Sequence, residues 1–291
     1  MMEQTLRSIY QERASESTTL SILIVQKTKE DDPLTDMFDA VLLVISSDET
    51  KQIYTKHYKT TEGIAIMHVI SDQQLKKWLI VGTNKKVVDW LFNGAVYFDR
   101  NGYLEQLKMK LKEVPYFGHD IKMGIELSRL VQSYVEGKKL YTQGDYLDAY
   151  NQIINSLHHL AKLAIIEKGF FPEVKAWKQV KIIEPAIYKL YEELVNGDEP
   201  LEKRLELLFL ASDFFIHNRI EKGAEHILRV LGTKKEWEIQ ELYDHRELSL
   251  YSTNLGVLLE YLVQKGYIEV IEKQSKNKYV CHRLYRAISR S

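Results

Sequence analysis

The chain has 291 residues, 45% hydrophobic and 28% charged, with a formal net charge of −1. That length exceeds one ordinary core and suits two or three domains, and the balance excludes both a disordered chain and a global field that would recruit nucleic acid. A single cysteine, Cys281, excludes an intrachain disulfide and fits a reducing cytoplasm. No apolar run is as long as a membrane span, and the charged, polar stretch from Met1 to Ser17 lacks the apolar core of a secretory leader.

A short amphipathic helix is expected over Glu3 to Glu12, with Leu6, Ile9 and Tyr10 on one face. Leu20 to Val25 and Ala40 to Ile45 read as buried strands, separated by a charged loop from Lys27 to Thr35. Gln52 to Tyr58 and Gly63 to Ile70 are further strand segments around a turn at residues 60–63. Helices are expected from Asp72 to Leu79, capped by Ser71 or Asp72, and from Lys85 to Asn93. Ala95 to Phe98 is a short strand ending at Asp99, a turning or capping residue. A helix from Tyr103 to Glu113 buries Leu104, Leu107 and Leu111. Alternating strands and helices give a compact α/β domain.

The stretch from Asp36 to Ile45 resembles the core of the nucleotidyltransferase superfamily. Its pattern is a Gly-Ser pair after the first strand, a loop, then two carboxylates one residue apart on the second strand. Period-two geometry puts both carboxylates on one side, where they hold divalent metal ions that clamp a triphosphate. Aligned on that pattern, Asp39 takes the first carboxylate position and Val41 the second, and Gln26-Lys27 stand where Gly-Ser belongs. The family's third carboxylate lies on the following strand, where His68 is the ionisable residue between Ile64 and Ile70. Asp39 is therefore either a metal ligand or a strand-entry carboxylate. Asp36 is a substitute ligand and Lys27 a phosphate contact if the site is active, with Mg²⁺ as its cofactor.

From Ile121 the apolar period lengthens to three and four. Helices are expected over Ile121–Glu136, weakly broken at Gly137, then Tyr146–Lys168, Val174–Val180, Ile187–Asn196 and Leu201–Arg219. Tyr141, Tyr146, Tyr150, His158, His159, Trp177, Tyr188 and Tyr191 either line a cleft or make contacts between helices. The adjacent pair His158-His159 is a poor metal site, because neighbouring helical residues do not face each other.

Further helices are expected over Ala224–Val230, Lys235–Tyr243 and Ser252–Lys265, then two strand-like runs, Tyr267–Ile271 and Tyr279–His282. Three helices and a two-stranded wing describe a winged helix-turn-helix. Lys273, Lys276, Lys278, Arg283, Arg286 and Arg290 make the wing and tail basic, as phosphate contact requires. Glu260 and an acidic second helix oppose a duplex, so DNA and a protein partner both stand.

The fold class is thus α+β multidomain: a nucleotidyltransferase-like α/β domain over 1–118, an all-α helical bundle over 119–220 and a winged helix-turn-helix over 221–291. That order resembles the YgxA-like nucleotidyltransferase-like proteins of Gram-positive bacteria. Three functions stand, because fold alone does not settle activity. The first is a nucleotide-sensing regulator with a degenerate metal and phosphate site and a winged helix that binds DNA or a partner. The second is an active metal-dependent nucleotidyltransferase, and the third a non-catalytic scaffold.

Overall fold

A computed structural model describes residues 2–28, 32–50, 53–84, 86–113, 118–275 and 279–288. The chain forms two compact units, Met1–Phe117 and Gly118–Ser291. Among the described residues, no helix is long and apolar enough to cross a membrane.

In the first unit the elements run α1 (Met2–Ser15), β1 (Thr19–Gln26), β2 (Ala40–Ser46), β3 (Tyr54–Thr60), β4 (Gly63–Ser71), α2 (Asp72–Val81), α3 (Val87–Asn93), β5 (Ala95–Asp99) and α4 (Tyr103–Lys112). The sheet order is β3-β4-β2-β1-β5. The central pair β2 and β4 is parallel, aligning Val41 with Ile66 and Leu43 with His68, and the other pairs are antiparallel. Strand β2 is buried along its whole length, as expected for an unbroken apolar run covered on both faces. One face joins Ile22, Ile24, Ala40, Leu42, Val44, Ala65 and Met67 to Leu6 of α1. Alternation turns Val41, Ile66 and His68 to the other face, beneath Trp78 of α2 and Trp90 of α3.

Local chemistry sets the element ends. The Ser71 hydroxyl accepts from Gln74 N–H at 3.1 Å to start α2, and Gly82 ends it in the left-handed conformation at φ 70°. Asp99 accepts from the Leu104 and Glu105 amides at 2.8 and 3.4 Å, so it caps α4.

In the second unit follow α5 (His119–Gln143), α6 (Tyr146–Glu167), α7 (Ala176–Ile183), α8 (Pro185–Asn196), α9 (Leu201–His217), α10 (Ile220–Leu231), β6 (Trp237–Glu238), α11 (Ile239–Asp244), α12 (Leu255–Gln264), β7 (Ile268–Gln274) and β8 (Cys281–Ala287). Helix α5 runs straight through Gly137, because the bare backbone there receives the Phe209 ring, 3.1 Å from where a Cβ would stand. Three apolar strips meet on α5: it packs against α6, against α10, and against α12 with the turn before it.

Two expected helices begin later than their sequence suggests. Trp237 and Glu238 pair with Tyr285 and Leu284, so the wing is a three-stranded sheet ordered β6-β8-β7. The Trp237 ring is buried and its indole N–H donates to Leu231 O at 2.9 Å, which holds this segment extended. A capping box between Glu238 and Glu241 then starts α11. Residues Leu248–Asn254 form a 3₁₀ turn in which Ser252 adopts φ 54°, and that break delays α12 to Leu255.

Candidate ligand cleft and helix-turn-helix surface

A cleft of about 470 Å³ opens over the second face of the first unit's sheet. Its floor is Val41 and Ile66, side by side on the parallel pair β2/β4, with His68 beyond them. Trp78, Trp90 and Phe38 supply aromatic walls, and Asp36, Lys86 and Asn84 the polar rim. His68 stacks on Trp90, with ring centroids 5.8 Å apart and planes 19° from parallel. Its Nδ1 shares a hydrogen bond with the Thr55 hydroxyl at 3.0 Å. Burial first, then the neighbouring His57, lower the His68 pKa, so this wall is neutral at physiological pH. The Trp90 indole N–H donates to Leu34 O at 2.8 Å, tying α3 to the loop that carries Asp36.

The candidate site residues fall in different places. Asp39 precedes β2; its backbone N–H donates to Ile64 O at 2.8 Å and its Oδ2 accepts from Ile64 N–H at 2.9 Å. That clasp needs Gly63, at φ 135°, since a Cβ there would overlap the Asp39 carboxylate. Val41 is 2% exposed and carries no polar group. Asp36 lies at the cleft rim in the left-handed region at φ 53°, and forms an ion pair with Lys86. Lys27 donates its backbone N–H to Asp39 O at 2.8 Å. The Leu34 amide and the Thr28 hydroxyl and amide hold Asp32 below the usual carboxylate range against the cost of its burial, and the Lys27 charge adds to this. Asp32, Lys86 and Trp90 were not singled out by sequence reasoning. The Thr28/Asp32 spacing and the tryptophans of two short helices were the signals available.

In the helix-turn-helix, each described wing cation has an acidic partner. Lys273 pairs with Glu236, Arg283 with Glu260 at 2.9 Å, and Arg286 with Glu269 at 2.5 Å. Lys276 and Lys278 lie outside the described residues, as does Arg290. Helix α12, in the position of a recognition helix, buries Leu255, Leu258, Leu259, Tyr261 and Leu262. Its Glu260 also accepts from the Tyr285 hydroxyl at 2.8 Å.

Some of the bundle's polar aromatics make contacts between helices: Trp177 stacks on Tyr191 at 4.1 Å, and Tyr141 meets Tyr146 and Phe209. The rings of His158 and His159 stand 6.0 Å apart, and His159 bonds Glu126 at 2.8 Å.

Three family models match the chain in succession: a nucleotidyltransferase-like model over residues 2–119, a YgxA-like substrate binding domain over 120–219 and a helix-turn-helix domain over 225–287. The chain is 44% identical over 284 residues to the YgxA protein of Bacillus subtilis, covering 98% of this chain and 97% of that one. It is also similar to the crystal structure of a nucleotidyltransferase-like protein from Exiguobacterium sibiricum. That match has a TM-score of 0.84 and 33% identity, and covers 99% of this chain and all of the other.

Proposed function

We propose, for a chain that belongs to the family of YgxA-like nucleotidyltransferase-like proteins, that the cleft of the first unit binds a nucleotide without transferring it. The chain then works as a nucleotide-sensing regulator whose output is the helix-turn-helix. The observation that carries this reading is the cleft floor. Val41 and Ile66 lie side by side on β2 and β4, with Val41 where the resemblance puts the second carboxylate.

Mg²⁺ would require oxygen ligands converging at one point. The Asp39 carboxylate is held by Ile64 N–H, Asp36 is turned to Lys86, and no cluster of three acidic, His or Cys side chains suited to a metal occurs among the described residues. This donor set does not fit a metal pair. The walls fit something else. A planar base gains stacking against neutral His68 and the tryptophans, and Lys86 places one ammonium at the rim for a phosphate.

For the output, the wing cations Lys273, Arg283 and Arg286, with Lys276 and Lys278, supply the phosphate contacts of a DNA surface. A protein partner is the second reading, favoured by Glu260 on α12 and by the acidic partners of those cations.

The test is calorimetric titration of the four ribonucleoside triphosphates, with and without Mg²⁺, into the wild type, Lys86→Ala and Asp39→Ala. Metal-independent binding that is weakened in Lys86→Ala and kept in Asp39→Ala is expected. Mg²⁺-dependent binding that Asp39→Ala abolishes would instead make Asp39 and Asp36 metal ligands, with Lys27 on phosphate, in an active transferase. No binding of any triphosphate to folded protein would leave the scaffold reading.

A further inference from the structure

A second cleft, of about 380 Å³, lies wholly within the second unit, where α5, α9 and α12 meet. Two tyrosine–lysine pairs face it, each spaced i, i+4 on its own segment. Lys138 lies over the Tyr134 ring at 5.6 Å on α5, and Lys265 over the Tyr261 ring at 5.3 Å at the end of α12. Asp213 of α9 accepts from the Tyr134 hydroxyl at 3.2 Å and pairs with Lys265 at 3.3 Å. Lys139 and Gln264 complete the polar lining.

Three features mark this cleft as built for an anion. Lys138, Lys139 and Lys265 outnumber its single carboxylate, Asp213. The Lys265–Asp213 contact, at 3.3 Å, is longer than the roughly 2.7–2.9 Å of a tight charge-assisted bond. The Tyr261 ring is 4% exposed, yet its hydroxyl has no hydrogen-bond partner among the described residues. A buried donor left so costs free energy that a ligand oxygen would recover. Burial, then Asp213, push the Tyr261 pKa up, so the hydroxyl keeps its proton and can donate. Helix-dipole compensation does not explain Lys138 and Lys139, since the last turn of α5 contains no basic residue and both lysines precede it.

We infer that this cleft is a binding site for a small phosphate-bearing ligand, held by Lys138, Lys139 and Lys265 and by the Tyr261 hydroxyl. Phosphate suits it because its oxygens take several ammonium and hydroxyl donors at once, and lysines bind it as point charges without a fixed fork. The volume admits free pyrophosphate or the phosphorylated end of a larger molecule. Tyr261, Gln264 and Lys265 close α12, so occupancy ties the bundle helices to the helix-turn-helix.

The experiment is calorimetric titration of pyrophosphate, and separately of ribose 5-phosphate, into the full chain at low salt. Saturable binding of either probe is expected, pyrophosphate alone indicating a free inorganic ligand and ribose 5-phosphate the end of a phosphoester. Lys138→Gln/Lys139→Gln should weaken it about tenfold or more, and Tyr261→Phe, which deletes one oxygen and leaves the ring, about threefold to tenfold. Asp213→Asn should tighten binding by removing the competing charge, a gain that a purely structural Asp213 would not give. The weakening caused by Tyr261→Phe and by the double lysine variant should be the same in a Lys86→Ala background, which separates failure here from failure of the nucleotide cleft. Absence of binding by either probe to folded wild type, or affinities unmoved by Tyr261→Phe and the double lysine variant, would overturn the assignment.

Discussion

The nucleotidyltransferase-like cleft and the helix-turn-helix wing each hold fewer available charges than their architecture suggests, for opposite reasons. At the cleft Val41, 2% exposed and apolar, stands where the resemblance puts a second carboxylate. At the wing the charges of the described residues are present but occupied, with Lys273, Arg283 and Arg286 each beside a glutamate. The two conditions differ in how easily they reverse. A surface ion pair is worth under about 1 kcal/mol, so a phosphate can recruit its cation by exchange. The packed strand at Val41 offers no charge to recruit.

Restoring the missing charge should have the largest effect. Val41→Asp buries a carboxylate between packed strands, and chemical denaturation should show a loss of about 4 kcal/mol. A stable Val41→Asp protein that also gained Mg²⁺ binding would falsify the contrast. The next effect concerns a charge that is both buried and paired. Burial raises the Glu126 pKa, but the His159 hydrogen bond and the charges of Lys162, His159 and Arg129 outweigh it and bring the group down to about 2 from 4.5. A depressed carboxylate stabilises the fold above pH 4.5, and that contribution, on the order of 3 kcal/mol, drains away as pH falls from 4.5 toward 2. Urea melts at pH 6 and pH 3 should show the loss in the wild type and much less of it in Glu126→Gln.

Asp39→Ala removes the acceptor for Ile64 N–H at the mouth of β4 and should cost about 1 kcal/mol in the same assay, with nucleotide binding unchanged. The smallest effect on stability belongs to the wing. Glu260→Gln releases Arg283 and should shift stability by less than about 1 kcal/mol, since both side chains are more than 40% exposed and solvent screens the pair. Its signature is in binding: fluorescence anisotropy with duplex DNA should show affinity several-fold tighter than wild type at low salt, with the advantage fading as salt rises. Equal affinities would point to the protein partner.

Much of the fold was legible because its cores obey clean periods. The unbroken apolar runs of β1 and β2 and the three-and-four spacing of α6 leave little choice of element. What sequence could not show was the destination of each polar side chain. The alignment placed Asp39 at a ligand position, but whether its carboxylate met a metal or Ile64 N–H depended on Gly63, brought beside it by the β3–β4 turn. The wing read as basic because acids are absent after Lys273, while Glu236, Glu260 and Glu269 arrive from earlier elements. Trp237 was read as helical because its short strand exists only through pairing with β8, a long-range term that local propensity does not contain.

Helix α5 has one more consequence. Its 25 residues make a rod about 37 Å long, and the helix-turn-helix is bolted to it at several heights. Near one end Asp120 pairs with Arg229 at 2.6 Å, and the Tyr251 hydroxyl, hydrogen-bonded to buried His226, rests where Gly124 has no side chain. One turn on, Leu127 fills the notch at Gly223, and further along Tyr134 reaches Asp213, which also holds Lys265 beyond α12. A module fixed at several points along one rod cannot swivel on a linker. Cutting the gene before α10 would therefore yield a fragment with a raw apolar flank that aggregates, whereas a cut before α5 would release a piece that folds.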